Sequence, residues 1–149
     1  KTTVGRVLAD QLGWTFVDAD AYHPATNVAK MRQGIPLTDE DRRPWLQALK
    51  RRIDEAEASG ENLVLACSAL KHAYQDYLRD DPDLVKLVWL DGSPDLIARR
   101  LAMRRGHFMD PHLLPSQFQT LEPPVDALRV DITPPPEAIA AEIRRRLGL

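Results

Sequence analysis

The sequence predicts an α/β protein with a largely parallel β-sheet. Short apolar stretches rich in β-branched and aromatic residues alternate along the chain with longer stretches whose apolar residues recur at helical spacing. This alternation is typical of parallel strands connected through helices. The 149 residues match the length of one domain with a single substantial core, so we expect residues 1–149 to form one domain.

Three helices and two strands are expected in the first half of the chain. The helices are predicted at residues 3–12, 25–31 and 39–59, and the strands at residues 14–17 and 62–67. Gly13 and Gly60 should end the first and third helices, since glycine readily adopts the left-handed conformation that follows a helix. Proline has no N–H to donate, so the regular part of the third helix should begin near Asp41, with Pro44 in its first turn.

The second half continues the alternation. The predicted elements are a helix that reaches residue 79, a strand at residues 84–90, a helix after Ser93, a short helix at residues 114–121, an edge strand at residues 128–132 and a final helix at residues 137–147. Ser93 followed by Pro94 is a strong helix-start signal, because serine caps a helix and proline fits its first position. That helix should end in an arginine-rich run at residues 99–105.

Composition excludes several classes of protein. Twenty Lys and Arg against 22 Asp and Glu leave a net charge of −2, so no broad attraction to nucleic acid or to a membrane surface is expected. The single cysteine, Cys67, rules out an internal disulfide framework and a Cys-rich metal site. The sequence has no secretory apolar segment and no apolar run near the roughly 20 residues that cross a bilayer. We therefore expect a cytoplasmic protein.

Polar residues follow the predicted strands. Asp18 and Asp20 follow the first strand, Cys67 and Ser68 the second, and Asp91 the third. Ligands of parallel α/β sheets bind beyond the carboxyl ends of the strands, so these residues indicate where a ligand should lie.

The chain opens with Lys1, Thr2 and Thr3 at the start of a helix, as a phosphate-binding P-loop ends. In a complete loop, glycines upstream expose backbone N–H groups to phosphates, the lysine contacts the phosphates, and the hydroxyl contacts Mg²⁺. Only the lysine and the hydroxyl are present here. On these residues alone, an ordinary amphipathic helix with a Lys-Thr start is the favoured interpretation.

The pair Asp18 and Asp20 has spacing suited to two separate tasks. One carboxylate could support a metal while the other meets a substrate hydroxyl, and phosphoryl transfer requires both. A solvated turn that happens to carry two acids is the alternative.

Three further stretches have a functional and a structural interpretation. The run at residues 104–107 suits a lid that brings cations over phosphates, or simply a basic helix end that the helix dipole favours. Ser68 and Lys71 place a hydroxyl and an ammonium near the strand ends, or form a cap followed by an exposed lysine. Cys67 is interpreted as a small buried apolar residue, because no histidine partner is indicated. His23 and His72 are too isolated to indicate a metal site.

Taken together, these stretches resemble the gluconate kinases, which are P-loop kinases of sugar acids. The matching residues are Lys1–Thr3, Asp18 to Asp20, His23, Pro24, Asn27, Lys30, Met31, Gly34 to Leu37, Asp39 to Leu46, Cys67 to Lys71, Tyr74, Arg79, Arg104 to Phe108, Ser116 to Phe118 and Leu121 to Pro123. The combination of DRRPWL, CSALK and RRGHF is highly specific, whereas each alone is weak.

The resemblance implies ATP-dependent phosphorylation of D-gluconate at its 6-hydroxyl, with ATP and Mg²⁺ as cofactors. It implies a three-layer fold with a five-stranded parallel sheet of order 2-3-1-4-5, a lid at about residues 104–124, and often a homodimer. In this family strand 1 and the glycine loop precede the residue that matches Lys1, so we expect the sequence to be truncated there and the 149 residues alone to fold poorly.

The resemblance also implies a role for each matching residue. On the nucleotide side, the phosphates would be bound by Lys1, Thr2, Thr3, Arg104 and, less surely, Arg100. Mg²⁺ would be held by Thr2 and Asp18, and Lys1 would act together with Asp20 in catalysis. Asp20 would orient the gluconate hydroxyl and take its proton, while the other gluconate ligands would be His23, Arg42, Lys71 and Gln117. The alternatives are a related kinase, such as a shikimate kinase, and a nucleotide-binding module without catalysis.

Overall fold

Strands and helices alternate as predicted in the computed structural model, which describes residues 1–104 and 110–149. The helices are α1 Thr2–Leu12, α2 Ala25–Arg32, α3 Asp39–Ser59, α4 His72–Leu78, α5 Pro94–Ala102, α6 Leu114–Thr120 and α7 Pro136–Leu147. The strands are β1 Thr15–Asp18, β2 Leu63–Ala66, β3 Val88–Asp91 and β4 Leu128–Asp131, and short 3₁₀ turns cover Ala19–Tyr22 and Pro111–Leu113. In these two ranges, no helix combines the length and the apolar character that a membrane span requires.

The strands form two parallel pairs. β1 pairs with β2 in the register Thr15 to Leu63, and β3 pairs with β4 in the register Val88 to Leu128. Parallel pairing is therefore confirmed. The order 2-3-1-4-5 counts the strand expected before Lys1 as strand 1, so β1 to β4 correspond to its strands 2 to 5. Within the described residues β2 and β3 do not pair, and a further strand between them, and with it the full order, stays a prediction.

Two groups of buried side chains pack the helices against the strand pairs. The first core cluster joins α1, β4 and α7; its buried members are Val4, Leu8, Val130, Ile132, Ile139, Ala140 and Ile143. The second core cluster joins the turn after β1 to α3 and α4; its buried members are Ala19, Trp45, Leu46, Leu49, Ile53, Tyr74 and Leu78. Helices thus cover each strand pair, as an α/β architecture requires.

The predicted bounds of the third helix, residues 39–59, are confirmed, but the expectation that its regular part begins near Asp41 is wrong. α3 begins at Asp39 because Thr38 and Asp41 form a capping box. The Thr38 hydroxyl accepts from the Asp41 N–H at 3.1 Å, and the Asp41 carboxylate accepts from the Thr38 N–H at 3.0 Å. Pro44 consequently lies in the second turn, where it removes the hydrogen bond that an N–H would make to the carbonyl of Glu40.

The third predicted strand is too long at its start. β3 begins only at Val88, and Leu84 is 64% exposed. A turn occupies residues 81–85, because the Asp81 carbonyl accepts from the N–H groups of Leu84 and Val85 at 3.1 and 2.9 Å. Apolar composition alone does not separate such a turn from a strand.

The arginine-rich end of the α5 prediction is also too long. α5 ends at Ala102, and the Arg104 N–H donates to the Leu101 carbonyl at 3.0 Å in a tightened last turn. Arg104 therefore follows the helix, and Arg105 lies outside the described residues.

Candidate functional site

The start of α1 and the carboxyl ends of β1 and β2 meet at a cavity of about 1200 Å³. The predicted site residues that line it are Lys1, Thr2, Thr3, Asp18, Asp20, His23, Arg42, Arg100, Arg104 and Gln117. Lys71 is described but does not line this cavity. The same cavity also extends along core residues of both strand pairs, among them Leu8, Ile53 and Ile139, so the contacts described below decide which of the predicted site residues lie close together.

The start of α1 presents the predicted phosphate-binding residues. α1 approaches β1 closely at Gly5, where a Cβ would lie 2.7 Å from the Phe16 ring, so a larger residue would push the helix away. The Arg104 guanidinium donates to the Thr2 hydroxyl at 3.2 Å, although the two residues are 102 positions apart. A helix N-terminus that carries Lys1 and is met by an arginine provides positive potential for an anion.

Asp18 and Asp20 are separated by a tight turn. Asp18 ends β1, and its carboxylate caps the 3₁₀ turn by accepting from the Asp20 N–H at 3.0 Å. Ala19, between them, is fully buried, and its carbonyl accepts from the Trp45 indole N–H at 2.7 Å. Anchoring Ala19 in the core therefore keeps both acids at the cavity edge.

His23 lines the same cavity as these acids and stacks on a buried tryptophan. Its ring stacks on Trp45 with centroids 4.5 Å apart and planes inclined by 10°. Its Nδ1 is 3.2 Å from the Asn27 side-chain nitrogen. Burial lowers the pKa of His23; the Asp20 carboxylate opposes this shift and the Arg42 cation adds to it.

Arg42 and Lys71 belong to one hydrogen-bonded network, but only Arg42 lines the cavity. Arg42 donates to the Tyr74 hydroxyl at 3.1 Å, and that hydroxyl donates to the Asp39 carboxylate. The Lys71 ammonium lies 2.7 Å from the same carboxylate oxygen. Hydrogen bonds from Lys71 and Tyr74 lower the pKa of Asp39. Lys71 is thus already paired with a carboxylate, whereas Arg42 is the cation of the network at the cavity.

Two polar residues to which the sequence assigned no role hold the loop at 68–71. The Gln75 side chain, 6% exposed, donates to the carbonyls of Ala69 and Glu122 at 2.9 and 3.1 Å. The Glu122 carboxylate accepts from the His72 N–H at 2.7 Å. These contacts join α4 to the segment after α6, and no local sequence signal indicates them because the partners are 47 and 50 residues apart.

The prediction that Cys67 is a small buried apolar residue is confirmed only in part, because Cys67 is half-buried and also lines the cavity. It packs against the second core cluster, and burial raises the pKa of its thiol to about 12. A thiol in that state is not a nucleophile at neutral pH.

Comparison with known proteins identifies the family. Residues 1–114 match the family model described as shikimate kinase. A gluconokinase of Gluconobacter oxydans (strain 621H) is 45% identical over 148 residues, spanning 97% of this chain and 83% of that protein. The chain belongs to the gluconokinase family.

Solved structures extend the similarity to the fold. An unliganded sugar kinase from Janibacter sp. HTCC2649 superposes with a TM-score of 0.90 at 41% identity, covering 99% of this chain and 87% of that one. A gluconokinase from Sinorhizobium meliloti 1021 gives a TM-score of 0.80 at 39% identity, covering 99% and 91%. The chain therefore has the kinase-like α/β fold of P-loop sugar kinases.

Two of the three gluconokinase motifs lie entirely within the described residues, and the third does so only at its first residue. DRRPWL contributes Arg42 and Trp45 to the cavity, and CSALK contributes Cys67 and Ser68. In RRGHF only Arg104 is described, so most of this motif and the first part of the predicted lid lie outside the described residues. The described part of the lid region returns to α2, where the Asp110 N–H donates to the Met31 carbonyl at 3.2 Å.

Proposed function

We propose that this member of the gluconokinase family phosphorylates D-gluconate with ATP to give 6-phospho-D-gluconate and ADP. The observation that carries the proposal is that predicted phosphate-binding and sugar-acid-binding residues line one continuous cavity. It is supported by 45% identity to a gluconokinase over nearly the whole chain.

The nucleotide phosphates would bind at the start of α1. Lys1 and Thr3 lie there together with the Thr2 hydroxyl, which already contacts Arg104. Arg100 also lines the cavity and donates to the Thr133 carbonyl at 3.3 Å. Lysine and arginine neutralise charge on a transferring phosphoryl group, and phosphoryl transfer depends mainly on such positioning and neutralisation.

Thr2 and Asp18 fit a magnesium ion because Mg²⁺ prefers oxygen ligands and both residues offer them at the cavity. When bound, Mg²⁺ supplies charge neutralisation between the phosphate groups. The Asp18 carboxylate is held in place by the Asp20 N–H, so it is already oriented before any ion binds.

Gluconate would bind beside Asp20, His23 and Arg42, which line the same cavity as the start of α1. Asp20 would orient the 6-hydroxyl and accept its proton, while His23 and Gln117 would hold further hydroxyls. Arg42 would pair with the gluconate carboxylate, since a guanidinium binds a carboxylate through two parallel hydrogen bonds. Lys71 is also proposed to contact gluconate, but its ammonium must first exchange the Asp39 carboxylate for that of the substrate.

The larger architecture is part of the proposal. We propose that the two strand pairs belong to one five-stranded sheet of order 2-3-1-4-5, with a strand outside these 149 residues between β2 and β3. The cavity supports this, because residues 63–66 and residues 88–91 both line it. A single domain over residues 1–149, a lid at about residues 104–124, a homodimer and a cytoplasmic location complete the proposal.

The test is ADP release by the full-length protein with Mg²⁺-ATP, comparing D-gluconate, shikimate and no acceptor. Strong stimulation by gluconate alone is expected. Arg42→Met should raise KM for gluconate, while Arg43→Met, at an exposed neighbouring position, serves as the matched control. Stimulation by shikimate instead would indicate the related kinase, and ATP binding with no stimulation would indicate a non-catalytic module.

A further inference from the structure

The His23 ring is held on one face and at one edge. Trp45, 2% exposed, stacks against its face, and Asn27, also 2% exposed, contacts its edge at Nδ1. Asn27 is a buried polar residue on α2, and the proposed reaction gives it no task. Buried polar side chains in folded proteins almost always have hydrogen-bond partners, so the contacts of Asn27 indicate its task.

The orientation of the Asn27 amide follows from its second contact. Its Nδ2 lies 2.8 Å from the backbone carbonyl of Asp41. A carbonyl oxygen only accepts, so the group that faces it has to be the NH₂ and not the amide oxygen. The amide is therefore not interchangeable with its flipped form at this position.

The same nitrogen faces Nδ1 of His23 at 3.2 Å. An NH₂ group only donates, so Nδ1 must offer its lone pair and carry no proton. A neutral imidazole has one N–H, which then has to be on Nε2. Protonation of Nδ1 would place two N–H groups against each other, so Asn27 also disfavours the imidazolium form.

The electrostatic surroundings agree with a neutral ring. Burial is the main cause that lowers the pKa of His23, and the Arg42 cation lowers it further. The Asp20 carboxylate raises it, but the net shift is downward. His23 thus enters the cavity beside Asp20 as a neutral group with one donor.

We propose that Asn27 is a positioning residue that holds His23 in the Nε2-protonated tautomer, so that His23 donates a hydrogen bond to an oxygen of the acceptor substrate. This inference rests on the proposed function for the identity of that substrate. It assigns His23 a binding task and leaves proton acceptance to Asp20. It also explains why a buried asparagine connects α2 to α3 at this position.

The first test is the tautomer of the full-length wild-type protein without substrate. Long-range ¹H–¹⁵N correlation spectra report whether each ring nitrogen carries a proton, and the His23→Gln variant assigns the signals. We expect Nδ1 to be unprotonated and Nε2 to be protonated at pH 7.5. A protonated Nδ1 would overturn the inference without any kinetic measurement.

The second test replaces the hydrogen-bond donor of Asn27 with an acceptor. In Asn27→Asp a carboxylate replaces the amide and favours a proton on Nδ1, either in the Nδ1-protonated tautomer or in the imidazolium, which keeps its Nε2 donor. KM for gluconate is therefore measured at about pH 9, where the ring is neutral; there Nε2 should lack its proton and KM should rise by about tenfold, the effect of one lost hydrogen bond. The binding of ATP should not change. Lys30→Met is the matched control, because it removes the Lys30–Asp41 contact of 2.9 Å between the same helices without touching His23.

Rescue distinguishes positioning from a structural effect. Glutamine at position 23 keeps an NH₂ donor that has no tautomer, so Asn27→Asp should raise KM much less in a His23→Gln background than in the wild type. An equal increase in both backgrounds would mean that Asn27 is only structural. If gluconate is not phosphorylated but the wild-type tautomer is as expected, the proposed function fails and the positioning stands. If Asn27→Asp does not fold, the wild-type spectrum still decides.

Discussion

At the scale of single residues, the position of Asp20 depends on its neighbours. The Asp18 carboxylate turns the chain after β1, and Trp45 anchors Ala19 between the two acids. The sequence predicted that Asp18 and Asp20 follow a strand and are separated by one residue. It did not predict the indole that fixes the turn, since Trp45 is 26 residues away and its spacing indicated only a core position.

Asp20→Asn tests the proposed role of the carboxylate. Because an amide cannot accept the hydroxyl proton, kcat with gluconate should fall by about 10²- to 10⁴-fold while ATP affinity stays unchanged. Steady-state kinetics and nucleotide titration measure the two quantities. Asp10→Asn, an exposed acid on α1, is the control and should change neither. Unchanged turnover in Asp20→Asn would remove this residue from the mechanism.

Tyr74→Phe tests the network that holds Arg42. The variant removes the hydroxyl that connects the Arg42 guanidinium to Asp39, so KM for gluconate should rise by about three- to tenfold with little change in kcat. Tyr77→Phe is the matched control, because Tyr77 lies on the same helix but is 44% exposed. If both variants keep the wild-type KM, Arg42 does not depend on Tyr74.

At the scale of elements, the α2–α3 junction organises one wall of the cavity. Asp41 caps α3, pairs with Lys30 on α2, and offers its backbone carbonyl to Asn27. The sequence predicted both helices and matched their family motif. It did not predict the capping box of Thr38 and Asp41, because the expected start of the regular helix rested on Pro44 alone.

Acid titration tests this junction. Hydrogen bonds from Thr38 and Lys30 lower the pKa of Asp41 from 3.8 to about 2. A carboxyl whose pKa is lower in the folded protein stabilises it above the unfolded pKa, and this contribution is lost as the pH falls through the folded value. The free energy of unfolding should therefore decrease between pH 3.8 and about 2 through this group.

Urea titrations across that range make the test specific. The decrease should be smaller in Asp41→Asn, which has no titrating carboxyl at this position. Asp76→Asn, which removes an exposed carboxyl from α4, should follow the wild type. Identical pH profiles for Asp41→Asn and the wild type would show that the cap does not contribute to acid stability.

At the scale of the whole molecule, two core clusters hold two strand pairs around one cavity. The first contains Ile143 and the second Leu49, which are 2% and 0% exposed. If residues 1–149 form a single domain, damage to either cluster should destabilise the entire protein, because a single domain unfolds cooperatively.

Leu49→Ala and Ile143→Ala test this expectation in the full-length protein. Each should lower the free energy of unfolding by about 2–5 kcal/mol through the lost apolar contacts and the cavity left behind. Both should shift one common transition, followed by circular dichroism and by tryptophan fluorescence during urea unfolding. Two separate transitions, each shifted by one variant only, would divide the chain into two units.

The sequence by itself determined the α/β class, the parallel strands, most of the helices and the family. These features are encoded in contiguous residues: helical spacing, apolar runs, capping residues and motif strings such as DRRPWL. The errors fell at element ends, near Pro44 and Leu84, where a side-chain cap or a turn competes with periodicity.

Only the tertiary structure decided which of the predicted site residues share one cavity and what each one contacts. It pairs Lys71 with Asp39, brings Arg104 to Thr2, and sets the Asn27 amide against His23. The first two contacts join residues 32 and 102 positions apart, so they depend on how whole elements pack. The third joins residues only four positions apart, but the Asp41 carbonyl on the next helix determines that Asn27 is the donor in it.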